Sequence, residues 1–165
     1  MRKAIFYVVQ SMLVTACALT GYALSGAADT PSPATAVRDF GLLGTWAVEC
    51  SRPPSPRNEH SLFSVTDAGG IWVFNDFGPD YDGMIYRVVD ASVVDADKVS
   101  LRQILASDEA IVLDIVMIKD KDRIRIWSSQ TAKGDTLVKD GTLVSAAEQQ
   151  TRWAARCGER RATVE

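Results

Sequence analysis

The strongest constraint on this chain is a series of short segments in which apolar and polar residues alternate, separated by turn-forming residues. Alternation with a period of two predicts strands, and turns such as Asp67-Ala68-Gly69-Gly70 and Lys139-Asp140-Gly141 separate them. The predicted strands are 45–50, 62–66, 71–77, 84–94, 98–105, 110–118, 123–129, 136–138 and 142–145. Because most connections are short, neighbouring strands should pair antiparallel as a meander. The expected fold class is all-β, a sandwich or, preferably, a closed barrel of about eight to nine strands.

The first 28 residues differ from the rest of the chain. Two basic residues are followed by an apolar run over 4–24 and by small residues over 25–28. This order is typical of a secretory signal peptide cleaved after residue 27 or 28. Two alternatives remain open: residues 14–17 resemble the lipidation motif of bacterial lipoproteins, with Cys17 as the lipidated residue, and the apolar run is long enough to span a bilayer uncleaved. All three predict a periplasmic or secreted domain, in a bacterium of Gram-negative type, that touches a membrane only through this segment.

Cysteine usage agrees with that location. Without residues 1–28, only Cys50 and Cys157 remain, one near each end of the folded part. In an oxidising compartment such a pair predicts a disulfide, which would bring the two ends together and favour barrel closure. The expected organisation is a signal segment (1–28), a linker with a short helical turn (29–42), the barrel (43–158) and a polar tail (159–165).

Both ends of the predicted barrel carry a recognisable set of residues. Gly44-Thr45-Trp46 opens the first strand, and Arg152, Trp153 and Arg156 stand at the far end. With a helical turn before and a meander between, the chain resembles the lipocalin and calycin barrels. The resemblance implies that Trp46 closes one end of the barrel beneath a C-terminal arginine, whose donors reach nearby carbonyls. The chain resembles even more closely a group of small secreted bacterial proteins that begin Gly-x-Trp and end Trp-x-x-x-Cys. Those proteins are largely of unknown function.

Several function classes are disfavoured. A pI near 5.2 and a net charge of −3 argue against nucleic-acid binding. The sequence has no Gly-x-Ser-x-Gly motif, and its one histidine, His60, is predicted to lie on the surface at a strand start. Residues 75–83 hold three carboxylates without the Asp-x-Asp-x-Asp-Gly order of a calcium loop, so a solvated turn is expected. We therefore expect no enzyme activity, no cofactor and no metal.

Two binding hypotheses follow. An aromatic set on one hairpin region either packs in the core and rim or forms a ligand or partner patch at the barrel mouth; its members are Trp72, Phe74, Phe77, Tyr81 and Tyr86. The preferred function is an envelope binding module for a small hydrophobic ligand, with the proline-rich loop 51–57 as a lid. The alternative is an envelope protein-interaction module, such as a protease or lysozyme inhibitor, that uses loops 51–57 and 76–82.

Overall fold

The computed structural model describes residues 31–146 and 149–158, so the predicted signal segment and polar tail lie outside the described residues. The elements, in chain order, are α1 Pro33–Phe40, β1 Gly44–Ala47, β2 His60–Val65, β3 Ile71–Asp76, β4 Met84–Asp95, β5 Lys98–Leu105, β6 Asp108–Asp120, β7 Arg123–Thr131, β8 Thr136–Lys139, β9 Thr142–Leu143 and β10 Ala154–Arg156. The all-β class predicted from the alternation is confirmed.

Eight of these strands form a closed ring. Strands β1 to β7 pair antiparallel with their sequence neighbours, and β10 pairs with both β1 and β7. In the closing register Trp46 lies opposite Arg156, and Ala154 lies opposite Ile124. The predicted antiparallel meander, closed as a barrel, is therefore confirmed.

The ring is not closed by the strands that the alternation identified last. Strand β10 is only three residues long, too short for a period of two to be recognised. The hairpin predicted at 136–145 does form, as β8 and β9, but it extends the far end of β7, where Val138 lies opposite Ser129. The edge of β7 is thus divided between β10 and β8. The first strand also ends at Ala47 rather than Cys50, because the chain turns at Glu49, whose carbonyl accepts from the Arg52 amide at 3.2 Å.

The predicted disulfide is confirmed between Cys50 and Cys157, with their Cα atoms 5.3 Å apart. It joins the residues that follow β1 and β10, two strands already adjacent in the ring. The Cys157 amide also donates to the Thr45 carbonyl at 2.8 Å, so the β1–β10 pairing continues up to the cross-link. The bond therefore secures the seam at which the barrel closes.

The helical turn expected before the first strand is an eight-residue helix, α1. It begins after Ser32, whose hydroxyl accepts from the Thr35 amide, and ends at Gly41 in the left-handed conformation with φ 81°. Val37 and Phe40 are buried, and the helix packs on β4 and β5. Within residues 31–146 and 149–158, no helix is long and apolar enough to cross a membrane.

A single hydrophobic core joins the helix to the barrel interior. Its most deeply buried side chains come from the helix, the segment after it and the inward positions of β3, β5 and β7: Val37, Leu42, Ile71, Val99, Leu101 and Ile124. The β6 residue Lys119 joins the helix end to the barrel wall. Its ammonium donates to the Phe40 carbonyl at 2.8 Å and lies 4.5 Å from the centroid of the Phe40 ring. The helix is thereby fixed against the barrel wall.

Candidate functional site

The barrel interior holds a cavity of about 300 Å³. Trp46, Phe63 and Val73 line one side of it, and Met117 and Ile124 line the other. These residues occupy inward positions on β1, β2, β3, β6 and β7, so this part of the cavity belongs to the barrel interior. The cavity is partly open to solvent, and the exposed residues Val48, Pro56 and Arg152 also line it. A volume of this size stands at the lower end of the range for small-molecule pockets.

One wall of the cavity is polar. Trp46, Ser61 and Asn75 are successive register partners across β1, β2 and β3, so their side chains share the inner face. Glu59 and Gln103 line the same space, and Gln103 is only 4% exposed. The Asn75 Oδ1 atom is buried without a hydrogen-bond partner among the described residues. Since burying an unpaired polar atom costs free energy, this wall is prepared for a polar group that the protein itself does not supply.

Glu59 is the acidic group of this wall. Burial raises the pKa of the Glu59 carboxyl, while the hydrogen bond from Ser61 and the charge of Arg152 lower it by less. Ser61 Oγ donates to Glu59 Oε1 at 3.1 Å. Among the ion pairs within the described residues, none includes Glu59. Burial and the negative charge of Glu59 also raise the pKa of Tyr86, whose hydroxyl donates to the Met84 sulfur at 3.3 Å.

The raised pKa of Glu59 predicts a pH-dependent stability. Above pH 4.5, its ordinary value, the unfolded chain has lost a proton that the folded protein still holds, so the free energy of unfolding falls as pH rises through this range. Glu59→Gln has no carboxyl to ionise. We expect this variant to be more stable than wild type at neutral pH, with an advantage that shrinks toward pH 4. Urea denaturation at a series of pH values measures the difference, and a constant difference across the series would contradict the assignment.

The proline-rich loop 51–57 is fixed beside the cavity. The Asn58 side-chain amide donates to the carbonyls of Glu49, Arg52 and Pro53 at 3.1, 3.3 and 3.1 Å, and its Oδ1 accepts from the Glu49 amide at 2.9 Å. Pro56 lines the cavity. Because the Asn58 side chain holds the loop through these hydrogen bonds, the loop forms a rigid part of the cavity wall.

The prediction of a surface histidine is wrong. His60 is only 9% exposed, and its Nε2 lies 3.1 Å from the Arg52 carbonyl and 3.2 Å from Asn58 Nδ2. The loop folds back over the start of β2 and covers the imidazole. His60 therefore serves the packing of this loop.

The loop at 76–82 lies against the proline-rich loop. Gly78 has φ 97°, and a Cβ atom there would come within 2.6 Å of the Pro54 carbonyl oxygen. Only glycine permits both this backbone conformation and this approach. Loops 51–57 and 76–82 therefore share one end of the barrel. Among the described residues no group of three or more His, Cys, Asp or Glu side chains is arranged to hold a metal.

Trp46 forms the floor of the cavity on the side of the helix. It is 2% exposed, and its Nε1 donates to the Leu42 carbonyl at 2.7 Å. The Arg156 guanidinium lies 5.2 Å from the indole centroid and donates to the carbonyls of Gly41 and Leu43 at 2.6 and 2.9 Å. This is the arrangement that the lipocalin resemblance implies.

The second arginine named with that motif, Arg152, occupies a different place. It donates to the Arg57 carbonyl, at the proline-rich loop, and lines the cavity. Arg125 also lines the cavity and is half-buried between Trp153 and Trp127, with its guanidinium 4.7 and 5.5 Å from their ring centroids. Its neighbours Ile124 and Ile126 pack into the core, so the Arg125 side chain leaves β7 on the outer side.

The five aromatic residues proposed as a patch do not share one face. Tyr86 is buried on the inner side of β4, close enough to Glu59 for their charges to interact. Trp72 and Phe74 alternate on β3 with the buried Ile71 and Val73, so they lie on the outer face. Of the two loop residues, Phe77 is half-buried and Tyr81 is 58% exposed.

The polar wall is the part of the site that sequence reasoning missed. Ser61, Asn75 and Gln103 are polar residues at inward positions of otherwise apolar strand faces, and this interruption was a usable signal. Glu59 precedes β2 and gave no such signal.

Together the ring of strands and the cavity define the class of protein: a disulfide-closed, eight-stranded antiparallel barrel with an amphipathic interior space. Comparisons of the chain with models of protein families, with curated proteins and with solved structures find no match.

Proposed function

We propose that this protein is an extracytoplasmic, lipocalin-like binding module that holds a small, largely hydrophobic ligand inside its barrel. The observation that carries the proposal is the cavity of about 300 Å³, walled mainly by apolar side chains and floored by Trp46. Small-ligand sites are typically concave and apolar, with a few polar groups that orient the ligand. Under this proposal the protein catalyses no reaction and binds no cofactor or nucleic acid.

The proposed family and location have separate support. A short helix before β1, the Trp46–Arg156 stack and the closed eight-stranded ring are features that a lipocalin-like barrel would share. The Cys50–Cys157 disulfide suits an oxidising compartment such as the periplasm or the cell exterior. The mass of the mature N-terminus distinguishes cleavage near residue 28 from lipidation at Cys17 and from an uncleaved segment.

Blocking the cavity should abolish binding. Ser61→Phe places a ring inside the barrel, beside Asn75, whereas Ser64→Phe places the same ring on the outer face of the same strand, opposite Trp72. We expect delipidated wild-type protein to show saturable quenching of tryptophan fluorescence by a bacterial envelope lipid extract. Ser61→Phe should lower the apparent affinity at least tenfold, and the matched Ser64→Phe should leave it within about twofold. Equal affinities for the two variants would place binding outside the barrel, and no saturable quenching of wild type would refute the proposal.

A second function is supported by the rigid end of the barrel. Loops 51–57 and 76–82 are in contact through Gly78 and Pro54, and the disulfide and Asn58 hold the first of them in one conformation. A preformed loop loses little conformational entropy on binding, as inhibitor loops require. We propose, as the alternative, an inhibitor of a protease or lysozyme of the envelope. Inhibition by stoichiometric protein at low salt would support it, and its absence would count against it.

A further inference from the structure

The polar wall specifies more than a generic hydrophobic ligand. Its members that face the cavity are Glu59, Ser61, Asn75 and Gln103, and they are rich in hydrogen-bond acceptors. The Glu59 carboxylate receives one side-chain hydrogen bond, from Ser61, and takes part in no ion pair within the described residues. Beside it, the Asn75 Oδ1 acceptor is buried with no hydrogen-bond partner among the described residues, as is the Nε donor of Arg125.

A largely buried carboxylate with so few partners is costly unless a positive charge or several donors reach it. No cation of the described residues forms an ion pair with Glu59. Arg152 lines the same cavity and its charge lowers the Glu59 pKa, but its side chain is exposed and directs a donor to the Arg57 carbonyl. Arg125 also lines the cavity, with its guanidinium between two tryptophan rings on the outer side of β7. The missing donor is therefore expected from the ligand.

We infer that the ligand is a small amphipathic amine, whose ammonium group donates to Glu59 and the neighbouring amide oxygens while its apolar body lies against Trp46 and Phe63. This inference rests on the proposed function and narrows its ligand class. An ammonium group presents three donors and one positive charge, and so matches the two kinds of acceptor on this wall. The apolar body must be compact, because the whole cavity measures about 300 Å³.

The test compares octylamine, octanol and octanoate, which share one apolar chain and differ in the head group. Titration calorimetry at pH 7 and low salt is expected to give octylamine an affinity at least tenfold higher than octanol, since hydrogen bonds to charged groups are roughly twice as strong as neutral ones. Octanoate should bind more weakly than either, because Glu59 repels it.

Glu59→Gln keeps the shape of the side chain and removes its charge. We expect this variant to lose the preference for octylamine, so that its affinities for octylamine and octanol come within about threefold of each other. The matched control is Glu109→Gln, which removes a carboxylate that is 77% exposed and paired with Arg87 outside the barrel. This control should retain the full preference.

The outcomes separate the inference from the proposed function. If octanol or octanoate binds as tightly as octylamine and Ser61→Phe blocks it, the barrel binds ligands but the amine specificity is refuted. A preference for octylamine that persists in Glu59→Gln also overturns the inference. If none of the three compounds binds, the amine inference is refuted, and the envelope-extract titration alone then decides the proposed function.

Discussion

Replacing both Cys50 and Cys157 by alanine is expected to lower the free energy of unfolding by about 4 kcal/mol. The cross-link spans a sequence separation of 107 residues. In the chain-entropy model a closed loop of about 100 residues is worth about 4.7 kcal/mol at 25 °C, because it removes conformations from the unfolded chain. The β1–β10 and β10–β7 pairings do not depend on the bond, so the folded state should keep its barrel. Urea denaturation followed by tryptophan fluorescence measures the change.

A reducing agent supplies the matched control for this prediction. Reduction of the wild-type protein should shift its denaturation midpoint to that of the double variant, while the double variant itself should not respond. Equal midpoints for oxidised and reduced wild-type protein would contradict a stabilising cross-link at the barrel seam.

Replacing Trp46 by alanine is expected to destabilise the protein by about 3–5 kcal/mol, as removal of a fully buried large aromatic residue does. The indole is 2% exposed and donates to the Leu42 carbonyl, so its loss leaves a void and an unpaired acceptor between the barrel floor and the helix. The same denaturation experiment measures the cost. Trp72→Ala is the control, because Trp72 is half-buried on the outer face of β3 and should cost much less.

Two further variants, Trp46→Phe and Arg156→Ala, separate the contributions of packing, of the Nε1 hydrogen bond and of the guanidinium contact, which Trp46→Ala removes together. Trp46→Phe keeps most of the packing and loses the Nε1 donor, and it should fold even if Trp46→Ala does not. Arg156→Ala removes the guanidinium from the indole and from the Gly41 and Leu43 carbonyls. A double-mutant cycle between the two positions should give a coupling of about 0.5–1 kcal/mol, the range for an exposed cation–π contact. Additive effects would show that Arg156 acts without Trp46.

Most of the sheet could be predicted because antiparallel neighbours are joined by short turns. Strand β5 begins and ends where the alternation placed it, at Lys98 and Leu105, and the turns at 67–70 and 139–141 separate strands as expected. The contacts between such strands are local in sequence, so the pattern of one strand predicts the position of the next. Long-range pairing has no such local signal, and the three-residue strand β10 was missed for this reason.

The candidate site was less predictable than the fold. Aromatic residues draw attention in a sequence, yet Trp72 and Phe74 face outward because they alternate with the buried Ile71 and Val73. The polar wall was hidden because its residues come from separate strands and from the segment before β2. A polar residue at an inward position, such as Gln103, is meaningful only once the opposite side of the barrel is known.

The alternating strands, their antiparallel order and the pair of cysteines could be predicted from the sequence, because each depends on local patterning or on residue count. How the ring closes, which arginine covers Trp46 and whether the interior contains space could be found only in the folded protein. Those features depend on contacts between residues far apart in the chain, such as Ala154 with Ile124 and Trp46 with Arg156. The interior volume in turn depends on how side chains from all eight strands fill the space between them. A local sequence pattern therefore does not predict it.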